Sequence, residues 1–89
     1  MGVTLTGTFD GRADPELVRR LLPEHIALSR AEPGCIAFRV SEDPETPGLF
    51  HLFEEFESQA DFEAHQARTK ASEWGRATSE FPRDYDISA

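Results

Sequence analysis

The fold is decided at Glu32-Pro33-Gly34-Cys35 and at the two apolar runs after it, Ile36–Val40 and Leu49–Phe56. Pro33 cannot continue a helix and Gly34 can adopt a positive φ, so this pair ends a helix and starts an extended segment. Residues 41–48, between the two runs, are polar and include two prolines and a closing glycine, which is typical of a hairpin loop. The pattern therefore predicts a helix, a turn, and two strands joined by a loop.

The segment before this turn adds a strand and defines the helix. From Val3 to Phe9, apolar residues and one glycine alternate with threonines, as in a strand that buries one face. Asp14-Pro15-Glu16 suits a helix start, because Asp can accept hydrogen bonds from free amides and Pro fits the first turn. We expect this helix to run to about Ala31 and to kink at Pro23, which removes one backbone hydrogen bond.

The segment after the hairpin adds a second helical region and a final strand. Ser58 and Asp61 have the spacing of a capping box that opens a helix. A weak break is expected within Ala67–Ala71, followed by a short helix that ends at Pro82. One face of that short helix should carry Trp74, Ala77, Thr78 and Phe81. With a last strand at Tyr85–Ile87, the order predicts an α+β, ferredoxin-like βαββαβ fold with a four-stranded antiparallel sheet.

The composition excludes several kinds of partner and site. The 89 residues carry 9 basic and 17 acidic side chains, and the net charge of −8 would repel nucleic-acid phosphates. No apolar run approaches the roughly 20 residues of a membrane helix, and no signal peptide is evident, so we expect a cytoplasmic protein with residues 1–89 in one domain. Cys35 is the single cysteine, and nucleotide-loop and His-x-x-x-His motifs are absent, so neither a metal nor a cofactor site is predicted.

Glu54 is the polar residue that the strand pattern isolates. Alternation along Leu49–Phe56 places Glu54 on a face that is otherwise apolar, where a carboxylate needs a partner. His65, three residues after Phe62 on the helix that covers the sheet, could be that partner. As a catalytic pair, Glu54 would raise the pKa of His65 and have a depressed pKa itself, leaving an imidazole that can take a phenolic proton. Alternatively, the two residues satisfy each other as a buried structural pair.

Other side chains allow either a ligand-binding or a packing role. A flat ligand would need an aromatic surface, for which the candidates are Phe38, Phe62, Trp74 and Phe81. The stronger alternative is that these aromatics build the core of a small domain. Arg39 points away from Phe38 and could bind a ligand carboxylate or, more simply, pair with Glu55 across the hairpin. Cys35 is expected to be a small buried apolar residue.

Three of these features together resemble the antibiotic biosynthesis monooxygenase family. They are the run Ser29-Arg30-Ala31-Glu32-Pro33-Gly34-Cys35, the hairpin ending in Phe53-Glu54-Glu55-Phe56, and His65 eleven residues after Glu54. The resemblance extends over nearly the whole chain. It implies a dimeric α+β barrel, in which two ferredoxin-like sheets meet face to face in a homodimer.

The resemblance also implies oxygenation of an electron-rich phenol or hydroquinone, including polyketide-type aromatics, without a metal or flavin. In that chemistry the deprotonated substrate itself reduces dioxygen, so the protein supplies a base, a dry cavity and orientation. Haem-degrading relatives use an Asn on the first strand, and this chain contains no Asn, so haem degradation is disfavoured. A homodimer that binds a small ligand without catalysis is the alternative.

The sheet itself also favours a dimer. A chain of this length buries only a modest fraction of its surface, little more than the roughly 60% of a 60-residue domain. We expect Cys35, Ala37, Leu49 and Phe53 to form an apolar row on the face that the helices leave open. An exposed row of this kind usually meets a partner, so a second copy of the chain is the expected occupant.

Overall fold

The computed structural model describes residues 2–89 and has the predicted βαββαβ order. Its elements are β1 (Val3–Asp10), α1 (Pro15–Arg30), β2 (Cys35–Glu42), β3 (Leu49–Phe56), α2 (Gln59–Ala71), α3 (Glu73–Ala77) and β4 (Arg83–Ser88). The strands form one sheet in the order β2-β3-β1-β4, and each neighbouring pair is antiparallel. The ferredoxin-like prediction is confirmed. None of the helices in residues 2–89 is both long enough and apolar enough to span a membrane.

Gly34 is required at the turn for space. The sequence suggested a positive φ at Gly34, but the observed φ is not positive. Glycine is needed because a Cβ at this position would overlap the Asp61 carboxylate. The turn is closed by two backbone hydrogen bonds, Cys35 N to Glu32 O at 3.0 Å and Glu57 N to Gly34 O at 2.9 Å. The start of α2 therefore packs directly on the turn, and this contact brings Glu32 close to α2.

The predicted helix starts are confirmed. The Asp14 carboxylate accepts a hydrogen bond from Leu17 N at 3.2 Å, and Ser58 Oγ accepts one from Asp61 N at 3.1 Å. One helix, α1, extends through Pro23 to Arg30, and the kink at Pro23 stays a prediction. The break expected within Ala67–Ala71 is wrong, because α2 continues to Ala71 and the break falls at Ser72, whose hydroxyl caps α3.

The core lies between the sheet and the helices, in two clusters of buried side chains. One cluster comprises Val3, Leu5, Phe38, Phe56 and Phe62, and the other comprises Phe9, Val18, Phe50 and Trp74. The face of α3 that was expected to pack is only partly buried, since Trp74 and Thr78 are buried but Ala77 is exposed. The two clusters flank the polar side chains described below.

The expected apolar row on the open face of the sheet is wrong for Cys35. A β-bulge between Cys35 and Ala37 inserts one residue into β2, so Cys35 turns to the helix-covered face and packs on the first core cluster. Arg39 does lie opposite Phe53 on the open face, but its guanidinium sits 5.1 Å above the Phe53 ring. The predicted pairing of Arg39 with Glu55 is therefore replaced by a cation–π contact.

Candidate functional site

A cavity of about 350 Å³ lies between the sheet and the helices. Its wall includes apolar side chains that belong to or pack against the two core clusters, namely Leu5, Phe9, Leu22, Val40, Phe50 and Leu52. Its titratable groups are His25 from α1, Glu54 from β3, His65 and Lys70 from α2, and Arg83 and Tyr85 from β4, and its neutral polar side chains are Gln66, Thr69 and Ser79. A mostly apolar cavity with a few convergent polar groups is the usual form of a small-molecule site.

His65 is held rigidly in the wall of this cavity. Its side chain is 2% exposed, and its ring packs on Phe56 at 4.8 Å and on Phe38 at 5.5 Å between ring centroids. Nδ1 lies 2.8 Å from Glu32 Oε1. A carboxylate can only accept a hydrogen bond, so Nδ1 carries the proton, and Nε2, which lies 3.5 Å from Thr69 Oγ1, carries the lone pair of the neutral ring.

Glu32 is the partner of His65 that the sequence interpretation missed. Its second oxygen, Oε2, accepts a hydrogen bond from Arg68 Nε at 2.5 Å, and Arg68 Nη2 donates to Ser29 Oγ at 3.0 Å. Arg68 lies three residues after His65 on α2, so both side chains reach Glu32 from one helix face. This network fixes the carboxylate that orients the imidazole, which is the arrangement of an oriented general base.

Glu54 is buried without a hydrogen bond at one of its oxygens. It is 4% exposed, and Oε1 has no hydrogen-bond partner among the described residues; the nearest ring nitrogen is His65 Nε2 at 3.6 Å. Burial raises the pKa of Glu54 to about 7, and the negative charge of Glu32 acts in the same direction. Near neutral pH this carboxyl group therefore exchanges a proton readily.

The predicted pKa shifts of this pair are wrong in direction. Burial lowers the pKa of His65, and the hydrogen bond that His65 donates to Glu32 only partly opposes that effect. The pKa of Glu54 is raised where a depressed value was expected. The reason is that the 3.6 Å separation from His65 is too long for a good hydrogen bond, so desolvation controls both groups.

His25 is a second imidazole in the cavity wall, and it too was missed. It is 6% exposed and stacks on Trp74, with centroids 5.0 Å apart and planes inclined by 9°. The His65 ring is 6.0 Å away. Burial lowers the pKa of His25 to about 3, with smaller contributions from the charges of His65, Arg68 and Arg83. The ring is therefore uncharged near neutral pH.

Of the four aromatic residues predicted to form the pocket, the structure places only Trp74 on the cavity wall. Phe38 packs behind the His65 ring, Phe62 packs on Phe56 at 5.7 Å, and Phe81 packs on Phe9 at 5.7 Å. These three residues have the packing role that was the alternative interpretation. Contact of Trp74 with a substrate stays a prediction, as do the catalytic roles of His65 and Glu54.

Arg83 and Tyr85 of β4 also line the cavity. Arg83 lies 4.8 Å above the Phe9 ring and donates hydrogen bonds to Thr78, while burial raises the pKa of Tyr85 to about 12. Within residues 2–89, no group of three or more His, Cys, Asp or Glu side chains is placed to hold a metal ion. The described groups can accept a proton, donate a proton and enclose an apolar ligand.

A model of the antibiotic biosynthesis monooxygenase family matches residues 10–77. Among solved structures, Rv0793 from Mycobacterium tuberculosis is 27% identical, with a TM-score of 0.77 and coverage of 100% of this chain and 94% of that chain. PA3566 from Pseudomonas aeruginosa is 25% identical, with a TM-score of 0.73 and coverage of 98% and 89%. A Bacteroides thetaiotaomicron protein, 18% identical with coverage of 99% and 88%, has a TM-score of 0.83 and shows the fold alone. A comparison with curated proteins gave no match.

Proposed function

This chain belongs to the antibiotic biosynthesis monooxygenase family, and we propose that it oxygenates an electron-rich phenol or hydroquinone without a metal or flavin. The observation that supports this most is the neutral His65 ring, fixed through Nδ1 by Glu32 and carrying its lone pair on Nε2 next to an apolar cavity. Burial lowers the pKa of His65, so the ring is unprotonated at neutral pH and can accept a phenolic proton.

His65 Nε2 removes the acidic proton of the substrate in the first step. The resulting anion gives one electron to dioxygen, and the two radicals combine to form a peroxide anion on carbon. This anion takes the proton back from His65 and becomes a hydroperoxide. Loss of water then breaks the oxygen–oxygen bond, so that a ring or methylene carbon becomes a carbonyl carbon and the second oxygen atom leaves as water. The apolar wall favours these steps by excluding solvent from the anion and by orienting it.

Glu54 is suited to the proton transfer that ends the reaction. With a pKa of about 7, a large fraction of this carboxyl group is protonated near neutral pH. A protonated Glu54 can give its proton to the departing hydroxide, while His65, 3.6 Å away, takes the proton that the oxygenated carbon loses and passes it to Glu54. The pair would then return to its starting protonation state after each turnover.

The proposal is tested by oxygen uptake. Protein treated with a chelator and freed of flavin should accelerate uptake of dioxygen by an anthrone or a hydroquinone, with one mole of dioxygen consumed per mole of carbonyl product. Binding of the phenol without acceleration would support the non-catalytic alternative and overturn the oxygenase proposal.

Glu32→Gln is expected to lower the rate of oxygen uptake by roughly tenfold to a hundredfold, the usual range for loss of a group that orients a catalytic side chain. The amide has nearly the shape of the carboxylate, but it can present either an oxygen or an NH₂ group to Nδ1, so the tautomer of His65 is no longer fixed. Glu45→Gln, in the exposed hairpin loop, is the matched control. Equal rates in wild type and Glu32→Gln would contradict the orienting role.

We also propose that the protein is a homodimer that packs the open faces of two sheets together. Proteins of this family are typically dimeric. The open face carries the partly buried Phe53, which lies opposite Thr6 of β1 and next to Arg39. Light scattering should give twice the 10.0 kDa mass of the chain, and Phe53→Glu should shift the population towards monomer. A particle of 10.0 kDa for the wild type at micromolar concentration would contradict the proposal.

A further inference from the structure

His25 has polar atoms that no part of the described protein satisfies. Its Nδ1 is fully enclosed and lacks a hydrogen-bond partner, and none of the hydrogen bonds among residues 2–89 reaches Nε2 either. Of the two nitrogens, only Nδ1 is fully enclosed. His25 lines the cavity of about 350 Å³, and the other pocket that it borders, beside Leu28 and Arg68, is only about 20 Å³, so the cavity is the space in which a ligand can reach Nε2. Burying a polar group without a partner destabilises the fold, and a simple packing residue such as leucine would avoid that cost.

The tautomer of His25 follows from this enclosure. An N–H group without a partner is rare inside proteins, whereas an unpaired acceptor is tolerated more often. The enclosed Nδ1 therefore carries the lone pair, and Nε2 carries the hydrogen. The ring cannot turn easily, because it stacks on Trp74 and meets Phe38 edge-on at 5.5 Å between centroids. The cavity thus presents a fixed, neutral hydrogen-bond donor.

We infer that His25 is a substrate-binding residue, whose Nε2–H donates a hydrogen bond to a second oxygen of the substrate, a carbonyl or the oxyanion it becomes. Nε2 of His65 accepts a proton, whereas Nε2 of His25 donates a hydrogen bond. The two imidazoles therefore have complementary roles in one cavity. The substrate class that fits both is an aromatic hydroxyketone, with one hydroxyl group to be deprotonated and one carbonyl oxygen to be held. This inference deepens the proposed function and rests on it for the order of the chemical steps. The hydrogen bond from His25 to the substrate oxygen does not depend on that order.

A matched pair of ligands tests the hydrogen bond without any oxygenation. The pair is a hydroxytetralone and the tetrahydronaphthol that has the same ring frame and hydroxyl group but lacks the ketone. Calorimetric titration of the wild type should show about tenfold tighter binding of the hydroxytetralone, the scale of one buried hydrogen bond. In His25→Phe this preference should disappear, whereas His25→Gln, whose amide can donate, should keep part of it. His51→Phe is the control, since His51 is exposed and bonds to Asp43 in the hairpin loop.

If His25→Phe does not fold, a measurement on the wild-type protein still tests the inference. In wild-type protein with ¹⁵N-labelled histidine, NMR should show His25 protonated at Nε2, with a shift on adding the hydroxytetralone and none on adding the tetrahydronaphthol. The inference is overturned if His25 is protonated at Nδ1, if neither ligand binds, or if the preference survives in His25→Phe. If the wild type prefers the hydroxytetralone and His25→Phe does not, but no oxygen uptake is observed, only the oxygenase proposal is overturned. The two failures are therefore distinguishable.

Discussion

Replacing His65 by alanine is expected to slow oxygen uptake by roughly 10²-fold or more, the usual contribution of a general base. The physical reason is that, among residues 2–89, only His65 lines the cavity with an imidazole lone pair that a carboxylate orients through the opposite ring nitrogen. His25 cannot replace it, because its low pKa of about 3 makes it a much weaker base. The measurement is the initial rate of oxygen uptake with an anthrone at saturating concentration.

Two controls separate catalysis from folding in this experiment. His51→Ala removes an exposed histidine in β3 and should leave the rate unchanged. His65→Ala also removes a buried ring that packs on Phe56, so unfolding curves must show that the variant is folded at the assay temperature. Unchanged rates in a folded His65→Ala variant would remove His65 from the site.

Glu54→Gln is expected to stabilise the protein at pH 8 by up to about 3 kcal/mol and to leave it unchanged near pH 4. Burial raises the pKa of Glu54 from 4.5 to about 7, so the folded state favours the protonated carboxyl group. A raised pKa gives a contribution that is complete below the unfolded value and is lost as pH rises through the folded value. Glutamine is neutral throughout, so it keeps that contribution at high pH.

Chemical denaturation of both proteins between pH 4 and pH 8 checks this prediction, with Glu55→Gln as the neighbouring control on the opposite face of β3. The two buried histidines act in the other direction. Their lowered pKa values mean that stability is lost as pH falls from about 6.5 through the folded values. Because wild type and Glu54→Gln share that loss, their difference isolates Glu54. Parallel stability curves over the whole range would show that Glu54 is ionised in the fold.

The fold was predictable because its signals are local. The end of α1 at the Pro33-Gly34 turn, the caps at Asp14 and Ser58, and the alternation along β3 each depend on residues close in sequence. The bulge at Cys35 was not predictable, because one inserted residue reverses the face of a side chain without a distinctive sequence. The expected apolar row on the open face was therefore wrong for Cys35.

The site was only partly predictable because its key contacts are distant in sequence. His65 and Glu54 stood out as polar residues on apolar faces, but the contact of Glu32 with His65 spans 33 residues and depends on how closely α2 packs on the Gly34 turn. His25 had an available signal. It lies seven residues after the buried Val18 and four before the buried Ser29, on the stripe of α1 that faces the core.

Burial keeps His65 neutral, and Glu32 fixes its tautomer through Nδ1, so that the Nε2 lone pair is available to the cavity. The most direct test is a ¹⁵N NMR spectrum of histidine-labelled wild-type protein at pH 7.5, with His65 assigned from the spectrum of His65→Gln. The account predicts a neutral His65 ring with hydrogen on Nδ1 and none on Nε2. A ring protonated at both nitrogens, or at Nε2 alone, would contradict it.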